Sequence, residues 1–193
     1  MRAFALRLGS GLLGSLSLVL VGCEDPPLPT PAGAFAMTFS KSSPDCNLQT
    51  HNAGIGVVGQ EGDPDLISDG AGSASIECEV SAAGGGFKIV TSMTDGDSLQ
   101  VTVPSISADN VDEASGADGS VSYASSDTGG DFFASGSTPC KFWVNPDSQF
   151  VKAGTAWVSF ACDSVSNEGV TCGIDNGFLN VKNCGGAAEE EEE

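Results

Sequence analysis

The chain has 193 residues, of which 26 are acidic and 7 are basic, so its formal net charge is −19 at pH 7. A surface this acidic repels nucleic acid and anionic head groups, and we expect neither a nucleic-acid nor a nucleotide partner. The length and the 40% hydrophobic content fit one domain with a single core.

The first 22 residues have the pattern of an export signal. Arg2 and Arg7 precede an apolar run over residues 8–21, which is shorter than the ~20 residues that a membrane-spanning helix needs. The run ends in Leu20-Val21-Gly22-Cys23. These four residues resemble the lipobox of bacterial lipoproteins.

That resemblance implies that the signal is removed before Cys23 and that the Cys23 thiol is linked to diacylglycerol. The expected partner is therefore membrane lipid, reached through acylated Cys23. Each buried methylene contributes about 0.8 kcal/mol, so two or three acyl chains hold a small domain. By the same resemblance, Glu24 at the next position implies the outer membrane and leaves its periplasmic and surface faces both open. The alternative is an ordinary secretory signal with a chance cysteine.

Composition changes after Cys23 and again at the end of the chain. Residues 24–33 are rich in proline and predict an extended tether. The final residues end in five glutamates and predict a solvated acidic tail. We therefore expect a signal peptide at 1–22, lipid attachment and tether at 23–33, a folded domain at 34–184 and a disordered tail at 185–193.

Apolar residues occupy alternate positions through the domain, which is typical of half-buried strands. The alternation begins at Phe35, Met37 and Phe39. It recurs in 74–80, 87–93, 99–103, 121–123, 142–144, 156–162, 170–174 and 178–181. Turn residues separate these runs, and Asn176-Gly177 predicts a tight hairpin between the last two. The sequence therefore predicts an all-β fold, an antiparallel β-sandwich of about eight or nine strands stabilised by disulfides.

Six cysteines follow Cys23, namely Cys46, Cys78, Cys140, Cys162, Cys172 and Cys184. An even number in an exported chain predicts disulfides. No CxxC spacing occurs and there is a single histidine, which argues against zinc. We favour Cys46–Cys78, with the last four paired among themselves. The predicted hairpin excludes Cys172–Cys184, which leaves Cys162–Cys172 and Cys140–Cys172 to be tested.

Two patterns known from enzymes have structural interpretations in this chain. Residues 54–59 match GxGxxG, but polar residues and a proline follow instead of a helix, so we interpret them as a glycine-rich strand. His51 is the single histidine, and no GxSxG motif accompanies it. We expect a structural role for His51 and no catalytic residues.

Four acidic residues, Glu61, Asp63, Asp65 and Asp69, recur along one loop. Carboxylates spaced in this way can converge on a hard cation, although the spacing is not that of an EF-hand. They are candidate ligands of a low-affinity calcium site. We expect no other cofactor.

Trp143 and Trp157 form a candidate ligand platform. If residues 140–145 pair with 155–160, the two indoles lie opposite each other on the face away from Phe142 and Phe160. Paired aromatic rings on an exposed sheet face can stack against a sugar or a partner. The alternatives are that this face is covered or that it is the core face.

Several segments combine a cysteine with a strand pattern, among them Ser75-Ile76-Glu77-Cys78, Pro139-Cys140-Lys141-Phe142 and Trp157-Val158-Ser159-Phe160-Ala161-Cys162. On these segments, residues 34–184 resemble cysteine-paired lipoproteins of myxobacteria-like Gram-negative bacteria, a family with no activity to transfer. We expect a non-catalytic, lipid-anchored cell-envelope protein with a binding or structural role, whose protein or glycan partner the sequence does not identify. The alternatives are a calcium-supported carbohydrate-binding or adhesion module and an exported hydrolase.

Overall fold

A computed structural model describes residues 29–41, 43–134 and 136–185. The predicted signal peptide, Cys23, the start of the tether and residues 186–193 lie outside the described residues. The strands are β1 (Ala32–Ser40), β2 (His51–Ile55), β3 (Ile67–Ser68), β4 (Ser75–Ala83), β5 (Gly86–Asp95), β6 (Asp97–Ile106), β7 (Ala117–Ala124), β8 (Phe132–Phe133), β9 (Cys140–Trp143), β10 (Phe150–Lys152), β11 (Thr155–Asn167) and β12 (Val170–Lys182). Within these ranges no helix is long and apolar enough to cross a bilayer.

All twelve strands belong to one antiparallel sheet, which confirms the predicted fold class. The main path runs β2-β1-β12-β11-β8-β7-β6-β5-β4, and β9 lies between β11 and β7. The sheet folds over on itself, because β2 contacts β5 and β6 and both halves contribute to one core. Two layers of a sandwich result. The strands outnumber the eight or nine expected because β3, β8 and β10 are two or three residues long.

The core contains the alternate residues that the sequence pattern indicates. Phe35, Met37 and Phe39 are buried along β1. Phe142 of β9 and Phe160 of β11 stack in the same core, with ring centroids 5.4 Å apart. Burying a side chain of this size contributes about 1.5–3 kcal/mol. The alternation therefore decides which face each strand turns inward.

The hairpin predicted at Asn176-Gly177 is wrong, because β12 continues through these residues as one strand. Asn176 has a φ of 48°, and β12 carries an extra residue here relative to both β1 and β11. The pair is therefore a β-bulge. The chain reverses instead at Glu168-Gly169, where φ values of 46° and 88° give a tight turn between β11 and β12.

Three disulfides join Cys46 to Cys172, Cys78 to Cys184 and Cys140 to Cys162. The prediction of disulfides is confirmed. The preferred Cys46–Cys78 pair is wrong. The prediction that the last four cysteines pair among themselves holds for Cys140 and Cys162 and is wrong for Cys172 and Cys184. Neither Cys162–Cys172 nor Cys140–Cys172 forms. Cys172–Cys184 is absent as predicted, although the hairpin on which that exclusion depended is also absent.

Strand neighbours explain the observed disulfides. Ser40 at the end of β1 lies opposite Gly173 of β12, so the loop after β1 carries Cys46 to Cys172. At the other end of β12, Gly185 forms a bridge with Glu79 of β4. That bridge brings Cys184 beside Cys78.

The start and the end of the described chain lie together at one pole of the sandwich. β1 begins inside the predicted tether, since Ala32 pairs with Lys182 of β12. Just before it, the Thr30 carbonyl accepts a hydrogen bond from Asn183 Nδ2 at 3.0 Å. The folded domain therefore begins before residue 34, its predicted start.

Candidate functional site

The predicted glycine-rich strand over residues 54–59 is only partly correct, because only Gly54 and Ile55 of this segment lie in a strand. β2 ends at Ile55, and Gly56 turns the chain with a φ of 68°. A Cβ on Gly54 would lie 2.6 Å from the Phe35 carbonyl oxygen, so glycine is required here for close backbone approach. No helix follows within the described ranges to present N–H groups to a phosphate.

His51 begins β2 and packs among aromatic residues. Its ring stacks on Phe39 with centroids 5.2 Å apart. Nδ1 lies 3.0 Å from the Gln49 carbonyl oxygen. Nε2 is buried and has no hydrogen-bond partner in the part of the chain that the structure describes. These contacts give His51 a packing role, with no serine or carboxylate hydrogen-bonded to its ring there.

Two of the four candidate calcium ligands, Asp65 and Asp69, make local structural contacts. Asp69 Oδ1 accepts a hydrogen bond from the Ile76 N–H at 2.8 Å. Asp65 pairs through its backbone with Val57, which closes the loop between β2 and β3. Among residues 29–41, 43–134 and 136–185, no three or more acidic, histidine or cysteine side chains are grouped to hold a metal. The calcium site stays a prediction.

The two tryptophans share one sheet face, but the predicted register is wrong. Trp143 lies opposite Ser159, whereas Trp157 lies opposite Phe150 on one side and Asn180 on the other. The segment between β9 and β11 contains a further strand, β10, and this strand occupies the position beside Trp157. The indoles are therefore diagonal neighbours.

Trp157 does not belong to an exposed platform. It is 8% exposed and packs with Ala34 and Val58, and its Nε1 donates a hydrogen bond to the Gly59 carbonyl oxygen at 3.0 Å. The loop after β2 covers this part of the face. Trp143 is only half-buried, and it alone of the pair lines a cleft.

The cleft beside Trp143 has a volume of ≈ 320 Å³ and a predominantly polar lining. Five parts of the fold build it. β9 supplies Trp143, β11 and β12 supply the floor, and the loops after β2 and β6 supply the rim. The polar side chains and the aromatic wall are Gln60, Glu113, Trp143, Asp163, Asp175 and Asn176.

The bulge in β12 shapes the floor of this cleft. Asp175 and Asn176 are both exposed there, although neighbouring residues of a regular strand point to opposite faces. The Gly177 backbone packs directly against the Phe160 ring, since a Cβ at this position would be 2.6 Å from that ring. The Asn176-Gly177 dipeptide thus turns two polar side chains toward the cleft.

Hydrogen bonds under the cleft connect its rim to its floor. Gln149 Nε2 donates to Ser159 Oγ of the floor at 2.9 Å, and Gln149 Oε1 accepts from the Asn145 N–H at 2.9 Å. Ser148 Oγ donates to the Gln60 carbonyl oxygen at 2.7 Å. The rim and the floor are therefore connected through one loop, which preorganises the site.

A second concavity, of ≈ 310 Å³, lies on the outer face of β4, β5 and β6. It has no aromatic wall, and Glu79, one of its two acidic groups, is engaged within the protein. The Ser81 hydroxyl, and next the Lys88 ammonium, hold the pKa of Glu79 below its ordinary value. The cleft beside Trp143 is the better candidate site because an aromatic ring and several polar groups converge there.

Comparison with protein-family models, with curated proteins and with solved structures gives no match. The candidate site is therefore defined by geometry alone. Of its side chains only Trp143 was predicted from the sequence. Gln60, Glu113, Asp163 and Asp175 lie far apart in the chain, and no spacing pattern connects them before the sheet is formed.

Proposed function

We propose that this protein is a lipid-anchored, non-catalytic module of the cell envelope that binds carbohydrate in the cleft beside Trp143. The observation that carries the proposal is the cleft itself. It combines a half-buried indole with amide and carboxylate groups in ≈ 320 Å³. Sugar rings offer an apolar face for an indole and a rim of hydroxyls for hydrogen bonds.

The lipid anchor is supported by the lipobox-like Leu20-Val21-Gly22-Cys23. Three disulfides fit a protein that matures in an oxidising compartment outside the cytosol. Because β1 begins at Ala32, only a short linker would separate the acylated Cys23 from the domain. Such a module would hold its ligand close to the membrane.

The anchor is tested with Cys23→Ser in the native host. We expect the wild-type protein to incorporate labelled palmitate and to sediment with membranes, and the variant to do neither. Labelling of wild type at another residue, or membrane retention of the variant, would contradict lipid attachment at Cys23.

Carbohydrate binding is tested with the full chain carrying Cys23→Ser, which avoids detergent. We expect binding to at least one neutral or amino-sugar oligosaccharide on a glycan array. Trp143→Ala should weaken this binding about tenfold or more, since stacking and buried area are lost together. Phe133→Ala is the matched control, because Phe133 is a 53% exposed aromatic residue outside the cleft lining.

Equal losses in both aromatic variants, or no binding by the wild-type chain, would contradict the proposal. The calcium-supported form of this function is tested in the same assay. If calcium is required, EDTA and Asp63→Ala each lower the melting temperature and reduce glycan binding. Unchanged values with both treatments would remove calcium from the function.

A further inference from the structure

The charged side chains that line the Trp143 cleft are all acidic. Glu113, Asp163 and Asp175 line it, and no lysine, arginine or histidine is among its lining residues in the part of the chain described. The three carboxylates come from the loop after β6, from β11 and from β12. Their shared placement depends on the sheet and not on one acidic stretch of sequence.

The nearest basic residue along β9 is already paired. Lys141 lies two positions before Trp143 and opposite Ala161 of β11. Its Nζ is 2.6 Å from Asp118 Oδ1, which draws the ammonium toward β7. Among the described residues that line the cleft, no basic side chain therefore neutralises the carboxylates.

An indole face adds to this preference for positive charge. The π-system of tryptophan carries a negative face, and it attracts ammonium groups more strongly than phenylalanine or tyrosine does. Trp143 forms one wall of the cleft that the carboxylates line. A cation over the ring is therefore attracted by the wall and by the acidic groups together.

We propose that the cleft selects a ligand with a positively charged organic group, held over Trp143 and facing Glu113, Asp163 and Asp175. This inference rests on the proposed carbohydrate-binding function and names its ligand class as amino sugars. Uronic and sialic acids are excluded by repulsion from the same carboxylates. N-acetylated sugars keep the ring and its hydroxyls but lose the charge.

The experiment follows tryptophan fluorescence in the full-length Cys23→Ser protein at pH 6 with three probes. These are a glucosamine oligomer, the corresponding N-acetylglucosamine oligomer and tetramethylammonium chloride. We expect the glucosamine oligomer to bind at least tenfold more tightly than the N-acetylated one. Its affinity should fall severalfold on raising the salt concentration, because exposed charges are screened.

Two variants assign the effect to the cleft. Asp163→Asn combined with Asp175→Asn should reduce glucosamine-oligomer affinity about tenfold or more and leave N-acetylglucosamine-oligomer affinity within about twofold. The matched control is Asp127→Asn, because Asp127 is an exposed aspartate outside the cleft lining. We expect the control to bind all probes as the wild type does.

The three probes separate this inference from the proposed function. If both oligomers bind equally and without salt dependence, carbohydrate binding stands and cation selection is overturned. If tetramethylammonium alone changes the Trp143 signal and needs the aspartates, cation selection stands and carbohydrate binding is overturned. If none of the three probes binds, both are overturned.

Discussion

Asn180 offers a sharp test of the sheet packing, because it is fully buried near the end of β12. Neither its Oδ1 nor its Nδ2 has a hydrogen-bond partner in the described part of the chain. On the sheet it lies between Ala34 of β1 and Trp157 of β11. The amide therefore lost its hydration on folding without replacement.

We predict that Asn180→Leu stabilises the domain. Leucine has the same branching and the same number of side-chain heavy atoms, and it removes both unpaired polar atoms. A buried polar group without a partner costs about 1–3 kcal/mol. For a chain of this size each kcal/mol shifts the melting temperature by about 2–4 °C, so we expect an increase of about 2–12 °C.

Thermal unfolding by calorimetry and urea unfolding, both with the disulfides intact, measure this change. Asn180→Ala is included because leucine is bulkier than asparagine and can overpack the site. The matched control is Asn183→Ala at the end of the strand. Asn183 has a φ of 56° and bonds to Thr30, so its loss should lower stability by about 1 kcal/mol.

The opposite signs expected at Asn180 and Asn183 make the reasoning refutable. If both Asn180→Leu and Asn180→Ala lower the free energy of unfolding, the Asn180 amide is hydrogen-bonded in solution. The packing argument would then be wrong.

Three further outcomes follow from contacts in the core. Gly177→Ala should lower stability by about 1–3 kcal/mol in urea unfolding, because its Cβ meets the Phe160 ring at 2.6 Å; an unchanged urea midpoint would mean that the bulge adapts. Replacing Cys140 and Cys162 by alanine removes a link of 22 residues and should cost about 3 kcal/mol, and a loss under ~1 kcal/mol would contradict the loop-closure account. Burial raises the pKa of Tyr123, the single tyrosine, to about 12; ultraviolet titration should show this midpoint in the folded protein and about 10 in urea. Because the pKa of Tyr123 is higher in the folded protein, its protonated side chain contributes fully to stability below pH ~10, and this contribution is lost as the pH rises toward 12. A midpoint near 10 in the folded protein would contradict the burial of Tyr123.

Strand positions were predictable because side-chain alternation depends only on which face is buried. Phe35, Met37 and Phe39 follow a period of two that no helix would produce, and the same parity is buried in the structure. The pairing of strands was not predictable in the same way. β1 pairs with β12 across almost the whole chain, and no local pattern specifies that contact.

The Asn176-Gly177 error has a specific physical cause. Asparagine and glycine both tolerate positive φ, which a two-residue turn and a bulge use equally. The actual turn at Glu168-Gly169 carries a weaker signal because glutamate is not a typical turn residue. Continuity of β12 depends on having β1 and β11 on both sides, and this is tertiary information.

The candidate site was only partly predictable for a related reason. Trp143 could be placed on the outer face from the parity of Phe142. Whether that face is covered depends on the loop after β2, which protects Trp157 through Gly59 and leaves Trp143 at the edge. The acidic residues beside Trp143 could not be predicted either, because Glu113, Asp163 and Asp175 lie far apart in the sequence.

The disulfide connectivity has a consequence for maturation. Cys46 and Cys78 find their partners 126 and 106 residues later. In a polypeptide delivered amino end first, both thiols meet oxidant before Cys172 and Cys184 emerge. If the chain is exported in this way, we expect a premature Cys46–Cys78 cross-link that thiol exchange has to undo. Production of this domain would then require a disulfide-reshuffling catalyst as well as an oxidant.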